Sequence, residues 1–340
     1  MSLKRGAEDG KNGLAITEAE AELYDRQIRL WGLDAQKRLR ASCILVIGLN
    51  GVGAEICKNL VLSGIKSLTM LDHHPVTEED FLSQFLIPKE DLGKNRAEAS
   101  LQRAKDLNPM VQVTADCDDI TSKPDTFFKD FDVVITTGCS LETLSKINEI
   151  CHVNKGTKKT IKASEPKRKK PNKEDTETVL VEKFAEFYRF KDALCCKLDE
   201  STPPKTLKRI SSVYFILQVM GIPLCRTPLP PVDVHVDSKI RIIQFMKIHG
   251  REPKVQSLDQ DTKELQRLRD VVMEELKLDK TLIDEHFSRH CTASLSPVCA
   301  IVGGVVGQEV VKAVSGRDSP LNNFFFYDGL EGHGMVECFK

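Results

Sequence analysis

The first half of the chain consists of short apolar runs separated by segments whose apolar residues recur every three or four positions. The runs at Cys43–Gly48 and at 67–73 (SLTMLDH), followed by VQVTA and FDVVITTG, are rich in Val, Ile and Leu and read as four buried strands. Between them Ala54–Leu62 reads as a helix stopped by Gly64. KNRAEASLQRAKDLNP (94–109) repeats apolar residues at Ala97, Leu101, Ala104 and Leu107 until Pro109 ends it, and LETLSKINEICHV (141–153) reads as the next helix. Upstream, TEAEAELYDRQIRLWG (17–32) predicts one helix with Thr17 as N-cap and Glu20 closing a capping box. Residues 1–16 read as a disordered tail. Strand–helix alternation with short connections predicts an α/β fold, a Rossmann-like, doubly wound and mainly parallel sheet.

That rhythm stops after residue 153. NKGTKKTIKASEPKRKKPNKEDTE (154–177) is lysine-rich and nearly free of apolar residues, so it reads as a disordered loop. No fifth parallel strand is evident where the alternation requires one. Further on, LKRISSVYFILQVM (207–220) reads as a buried helix and GIPLCRTPLPP (221–231) as a proline-rich connector. DTKELQRLRDVVMEELKL (261–278) reads as a charged-faced amphipathic helix. SPVCAIVGGVVGQEVVKAVSG (296–316) reads as a buried helix whose Gly303, Gly304 and Gly307 permit close backbone approach. NNFFFYDG and GMVEC close the chain as strands. The implied plan is a nucleotide-binding half at 17–153, a variable region at 154–260 and a C-terminal part at 261–340 that completes the same fold.

Composition narrows the function classes. An apolar share of 41% and a charged share of 29% suit a globular protein, and a net charge of −1 argues against a general nucleic-acid or membrane binder. Gln308 and Glu309 interrupt the longest apolar run, which argues against a membrane span. MSLKRGAEDGKNG has no apolar signal core, so a nuclear or cytosolic location with reduced thiols is expected. None of the eleven cysteines forms a Cys-x-x-Cys pair, so neither a disulfide frame nor a zinc site is expected. His73 and His74 read as loop residues rather than metal ligands. Lys167, Arg168, Lys169 and Lys170, bounded by prolines in PKRKKP, read as a nuclear-import signal, with a solubilising charged loop as the alternative.

The sharpest chemical signal is VIGLNGVGAEICKNL (46–60), in which a strand enters a glycine-rich turn and leaves as a helix. Gly48, Gly51 and Gly53 can take the φ values of a tight turn and let backbone approach a phosphate. Asp72 ends the next strand, at the distance along the chain from which an acid reaches a ribose hydroxyl. An NAD-dependent oxidoreductase fits the same turn and acid, although no His–acid arrangement is evident to serve as its base. Glycines that merely pack helix on strand are the structural alternative.

Several further words occur in a fixed order around that turn: YDRQIRLWG before it, QFLI and LGKNRAEAS after it, and SPVCAIVGGVVGQEVVKA followed by NNFFFYDG near the end. Together they resemble the adenylation domain of the ubiquitin-like-protein activating enzymes, in the SUMO-activating branch. The resemblance is dense over 17–153 and 261–340 and thin between, where only LKRISSVYFILQV matches. It implies a heterodimer with a second, thioester-bearing subunit, SUMO as the protein substrate, and ATP with Mg²⁺ bound mainly by that partner. It also implies that Arg26 reaches across the interface to the partner's ATP phosphates. The alternative for Arg26 is a surface ion pair with Glu22.

Measured against the family's active pattern, this chain's own pocket is depleted. Residues 82–85 read LSQF, so Ser83 stands where the family has arginine, and NRA places Arg96 at the family's lysine position. TTGCSLET offers no counterpart to the family's metal-side aspartate. Gly48, Gly51, Gly53, Asp72 and Arg96 therefore read as a scaffold or a weak nucleotide site. None of the cysteines, Cys195–Cys196 included, sits in a word resembling the thioester site. The family's central strand and crossover after residue 153 are missing, so a shortened, non-catalytic variant that keeps partner binding is a further alternative.

Overall fold

The computed structural model describes residues 16–155, 158–166, 178–186, 189, 258–275, 279–288, 294–322, 324–329 and 331–338. Four strands, β1 (Cys43–Ile47), β2 (Ser67–Leu71), β3 (Gln112–Asp116) and β4 (Val133–Thr136), pair in parallel in the order β3-β2-β1-β4. In the first half the helices are α1 (Glu18–Leu23), α2 (Asp25–Trp31), α3 (Leu33–Ala41), α4 (Gly51–Leu62), α5 (Arg96–Leu107) and α6 (Leu141–Lys155). Later come α7 (Leu258–Glu275) and α8 (Ser296–Ser315). Both faces of the sheet are covered, which is why CILVI is apolar without alternation. Ile44 and Val46 join Leu68 and Met70 in a core beneath α4, whereas Leu45 and Ile47 pack with Leu71, Phe128 and Ile147 on the other face. The parallel α/β sheet inferred from the sequence is thus present.

Several boundaries differ from the sequence reading, each for a local reason. The capping box at Thr17 and Glu20 is formed, but the 17–32 helix breaks at Tyr24. The Tyr24 ring is buried where Gly64 leaves room for it, and its hydroxyl accepts a hydrogen bond from Asn108 Nδ2 at 2.8 Å. Helix α4 starts three residues early, at Gly51, because the Asn50 side chain caps it by accepting from the Gly53 N–H at 3.0 Å. Part of the segment read as disordered is a strand. Lys158–Pro166 (β5) pairs antiparallel with Thr178–Glu186 (β6), Lys158 facing Glu186 in the register. The β-branched TVLV of β6 supplies the strand preference that the lysines of β5 concealed.

Helix α8 packs on α4 through two glycines. A methyl group on Gly303 would meet Glu55 Cβ, and one on Gly307 would meet Asn59 Cβ, whereas Gly304 has nothing within 4 Å. Close approach therefore holds for Gly303 and Gly307 and not for Gly304. Among the described residues α8 is also the one helix long and apolar enough to cross a membrane, and its Val310 and Val311 lie in the core beside α4.

Residues 1–186 and 295–320 form one compact unit, and 187–294 with 321–340 form a second. The second holds α7, in which Leu265, Leu268, Val272 and Met273 are buried, and an antiparallel hairpin of β7 (Phe324–Asp328) and β8 (His333–Glu337). The helix expected at 207–220, the connector at 221–231, Cys195, Cys196 and the basic run Lys167, Arg168, Lys169 and Lys170 lie outside the described residues.

Candidate functional site

In the order β3-β2-β1-β4 the chain steps outward from β1 in one direction through β2 and β3, then returns to place β4 on its other side. Such a switch point opens a crevice beyond the carboxyl ends of the strands. A cavity of about 250 Å³ lies there, lined among others by Gly48, Asn50, Asp72, Arg96, Asp119 and Thr137.

The three glycines are needed for three different reasons. Gly48 alone has a positive φ, +88°, and a side chain there would collide with the Thr137 carbonyl. Gly51 and Gly53 have ordinary helical backbones in the first turn of α4, so the turn does not draw on them for φ. Gly51 makes room for Ser83 and Cys299, and Gly53 for the Gly48 carbonyl. Hydrogen bonds within the chain lock the turn. Gly48 N–H donates to Leu71 O at 2.9 Å, and Thr137 Oγ1 donates to Gly48 O at 2.7 Å. Gln84, buried in the word LSQF, donates to Leu49 O at 3.0 Å and to Ser100 Oγ at 3.1 Å and accepts from Leu86 N–H. Ser83 is buried against Gly51 and is not part of the cavity wall.

Asp72 is where the sequence places it, at the end of β2, but its carboxylate already has partners. Oδ2 accepts from Leu49 N–H at 2.7 Å, and Oδ1 accepts from His74 N–H at 2.9 Å with His74 Nδ1 at 2.8 Å. Asn95 caps α5 by accepting from Ala97 and Glu98 N–H and donates to Asp72 O at 2.7 Å. Arg96 follows on the first turn of α5 and is drawn off by Asp80, at 3.0 Å, with Asp72 at 3.9 Å. The His–acid arrangement not evident in the sequence therefore exists in three dimensions. Asn50, Thr137, Gln84, His74 and Asp119 also shape the site: Thr137, Gln84 and Asp119 act through partners distant in sequence, whereas Asn50 and His74 act through Gly53 and Asp72, three and two residues away.

Among the described residues Arg96 is the one lysine or arginine side chain in the cavity wall, beside the imidazoles of His73 and His74. The segment TTGCSLET contributes Thr137, Gly138, Cys139, Ser140 and Thr143 to that wall and no carboxylate. Burial, reinforced by the Asp72 and Asp119 charges, pushes the Cys139 thiol above its ordinary range. Burial also pushes Cys57 up to about 12, so neither is an activated nucleophile. The volume falls below the ~300–1,000 Å³ typical of ligand pockets, and one tethered guanidinium does not neutralise a triphosphate. These residues do not fit a reacting Mg²⁺–ATP.

Arg26 lies elsewhere, exposed on α2 and outside the cavity wall. It makes no ion pair with Glu22. The surface pair on that helix is Arg29 with Asp25, at 3.0 Å.

A doubly wound parallel sheet with a glycine turn at its switch point defines a nucleotide-type α/β fold, and the ThiF family profile matches residues 24–340 of it. The chain belongs to the ThiF family. It is 42% identical to SUMO-activating enzyme subunit 1 of Homo sapiens over 357 aligned positions, covering 96% of this chain and 97% of the relative. The Danio rerio protein of the same name is 41% identical, with 97% and 98% covered. The human alignment is longer than the chain itself, so some positions of that relative have no counterpart here. Among solved structures, Escherichia coli tRNA N6-threonylcarbamoyladenosine dehydratase in complex with ATP aligns with 42% of this chain and 59% of its own, at 25% identity and a TM-score of 0.38.

Proposed function

We propose that this chain is the half of a heterodimeric SUMO-activating enzyme that lacks the thioester cysteine. In this reading it supports ATP-dependent adenylation of the SUMO C-terminus and its transfer to a cysteine of SUMO-activating enzyme subunit 2. The observation that carries the reading is identity of about 42% over 97% of a relative bearing the subunit 1 name. The depleted pocket supports assigning the chemistry to the partner: ATP and Mg²⁺ are bound mainly there, and this chain alone is inactive. Arg26, exposed and without an ion-pair partner among the described residues, is available to meet the partner's ATP phosphates, for which a guanidinium suits bidentate contact. Gly48, Gly51, Gly53, Asp72 and Arg96 act chiefly as scaffold. The complex works in the nucleus, with Lys167, Arg168, Lys169 and Lys170 as the import signal. Mixing the chain with subunit 2, SUMO and ATP tests the reading. A reducible SUMO conjugate is expected on subunit 2 alone, unchanged when Cys195 and Cys196 are both replaced by serine. No conjugate, or one on this chain, would overturn it.

A further inference from the structure

The turn after β2 carries side chains that adenylation in trans does not use. His73 and His74 are exposed at the cavity with ring centroids 3.9 Å apart, and with Asp72 they bring three ligand atoms within 4.8 Å of one another. Asp119, on the loop after β3, stands outside that trio and approaches it at His73, with Oδ2 4.0 Å from His73 Nε2. Four-coordinate zinc holds imidazole nitrogen and carboxylate oxygen at about 2.0–2.2 Å, which sets neighbouring ligand atoms roughly 3.3 Å apart. The observed pairs bracket that spacing, with His74 Nδ1 to Asp72 Oδ1 at 2.8 Å and His73 to Asp119 at 4.0 Å.

The backbone already orients the buried ligand. Leu49 N–H fixes Asp72 Oδ2 and the His74 backbone N–H fixes Oδ1, contacts that remain when the His74 ring turns to an ion. The charge also fits. Asp72 and Asp80 share a single guanidinium, Arg96, and Asp119 lies beside the His73 imidazole, so carboxylates outnumber guanidinium groups around the site. We propose that Asp72, His73, His74 and Asp119 form a site for a divalent transition-metal ion of the zinc type at the mouth of the switch-point cavity. Mixed imidazole and carboxylate donors select zinc and its first-row neighbours over magnesium. The ion takes the carboxylate that a ribose hydroxyl would use, so metal and nucleotide exclude one another here. The proposal stands apart from the SUMO reading, which is tested by conjugate formation and not by metal.

The test is titration of the reduced, tag-free full chain with Zn²⁺ and with Co²⁺ as a visible-absorbing substitute. One equivalent is expected to bind, with cobalt ligand-field bands free of thiolate charge transfer. His73→Ala with His74→Ala should weaken binding at least about tenfold, as should Asp119→Asn alone. Because these side chains are exposed or half-exposed, far-UV circular dichroism of each variant should match the parent. His73→Gln with His74→Gln provides a second pair that keeps the side-chain polarity. Undiminished binding in folded variants, a thiolate-dominated cobalt spectrum, or no binding by the parent chain would each overturn the proposal.

Discussion

Alanine placed at two adjacent glycines of α8 should move stability in opposite directions. At Gly303 the new methyl group would sit 2.5 Å from Glu55 Cβ and 3.2 Å from the Glu55 carbonyl carbon and Ile56 nitrogen, atoms of α4 that no side-chain rotation can remove. Carbon atoms rest against one another at about 3.5–4.0 Å, so α8 and α4 must part by on the order of an ångström. Overpacking of this kind costs about 1–3 kcal/mol, and a helix interior recovers up to ~1 kcal/mol when glycine becomes alanine. With backbone as the obstacle, the net loss is about 1–2 kcal/mol. At Gly304 nothing lies within 4 Å, so the propensity gain stands alone, at about 0.5–1 kcal/mol. For a unit of this size 1 kcal/mol shifts Tm by about 2–4 °C, so the two variants should differ by about 3–12 °C in thermal unfolding of the isolated chain. Gly303→Ala melting at or above Gly304→Ala would show that α8 is not seated on α4 through Gly303.

Three further outcomes are expected. Arg26→Ala should slow ATP–pyrophosphate exchange by the heterodimer about 10²–10³-fold, as loss of one transition-state charge contact does, with assembly intact by gel filtration; an unchanged exchange rate would refute the role in trans. Burial acts to raise the Glu20 carboxyl, but the Thr17 N–H and hydroxyl and the Arg40 charge outweigh it, so it titrates below its ordinary 4.5. Its contribution is therefore complete above about 4.5 and lost as pH falls through the lowered folded-state value. Amide protection in α1 should fade over that acid range in the parent chain, and Glu20→Gln should lack this acid step, whereas identical acid sensitivity would count against the capping box. Replacing Lys167, Arg168, Lys169 and Lys170 with alanine should move a fluorescent fusion towards the cytoplasm in cells where partner import is blocked, and unaltered nuclear accumulation would reduce the run to a charged loop.

What could be read from the sequence was what neighbours along the chain decide. The Thr17–Glu20 box spans four residues and was formed as expected. The glycine turn and Asp72 announce themselves by spacing alone. The break at Tyr24 depends on Asn108, 84 residues away, and on the room left by Gly64, so no local pattern encodes it. The β5–β6 pairing is masked in the sequence by the lysines of β5, whose strand partner is the β-branched run of β6. At the site, three glycines in one motif suggested one purpose, whereas only Gly48 needs its freedom of φ. The His73–Asp119 approach joins two loops that share nothing in sequence.

The turn at Gly48 is held by Leu71, Asp72, Gln84 and Thr137, all groups of the protein itself. Its shape is therefore set by the chain alone. A guest entering would find the turn already ordered and a guest leaving would take no order with it, so occupancy and architecture are uncoupled at this point. A fold built this way can fall chemically silent and still serve as masonry.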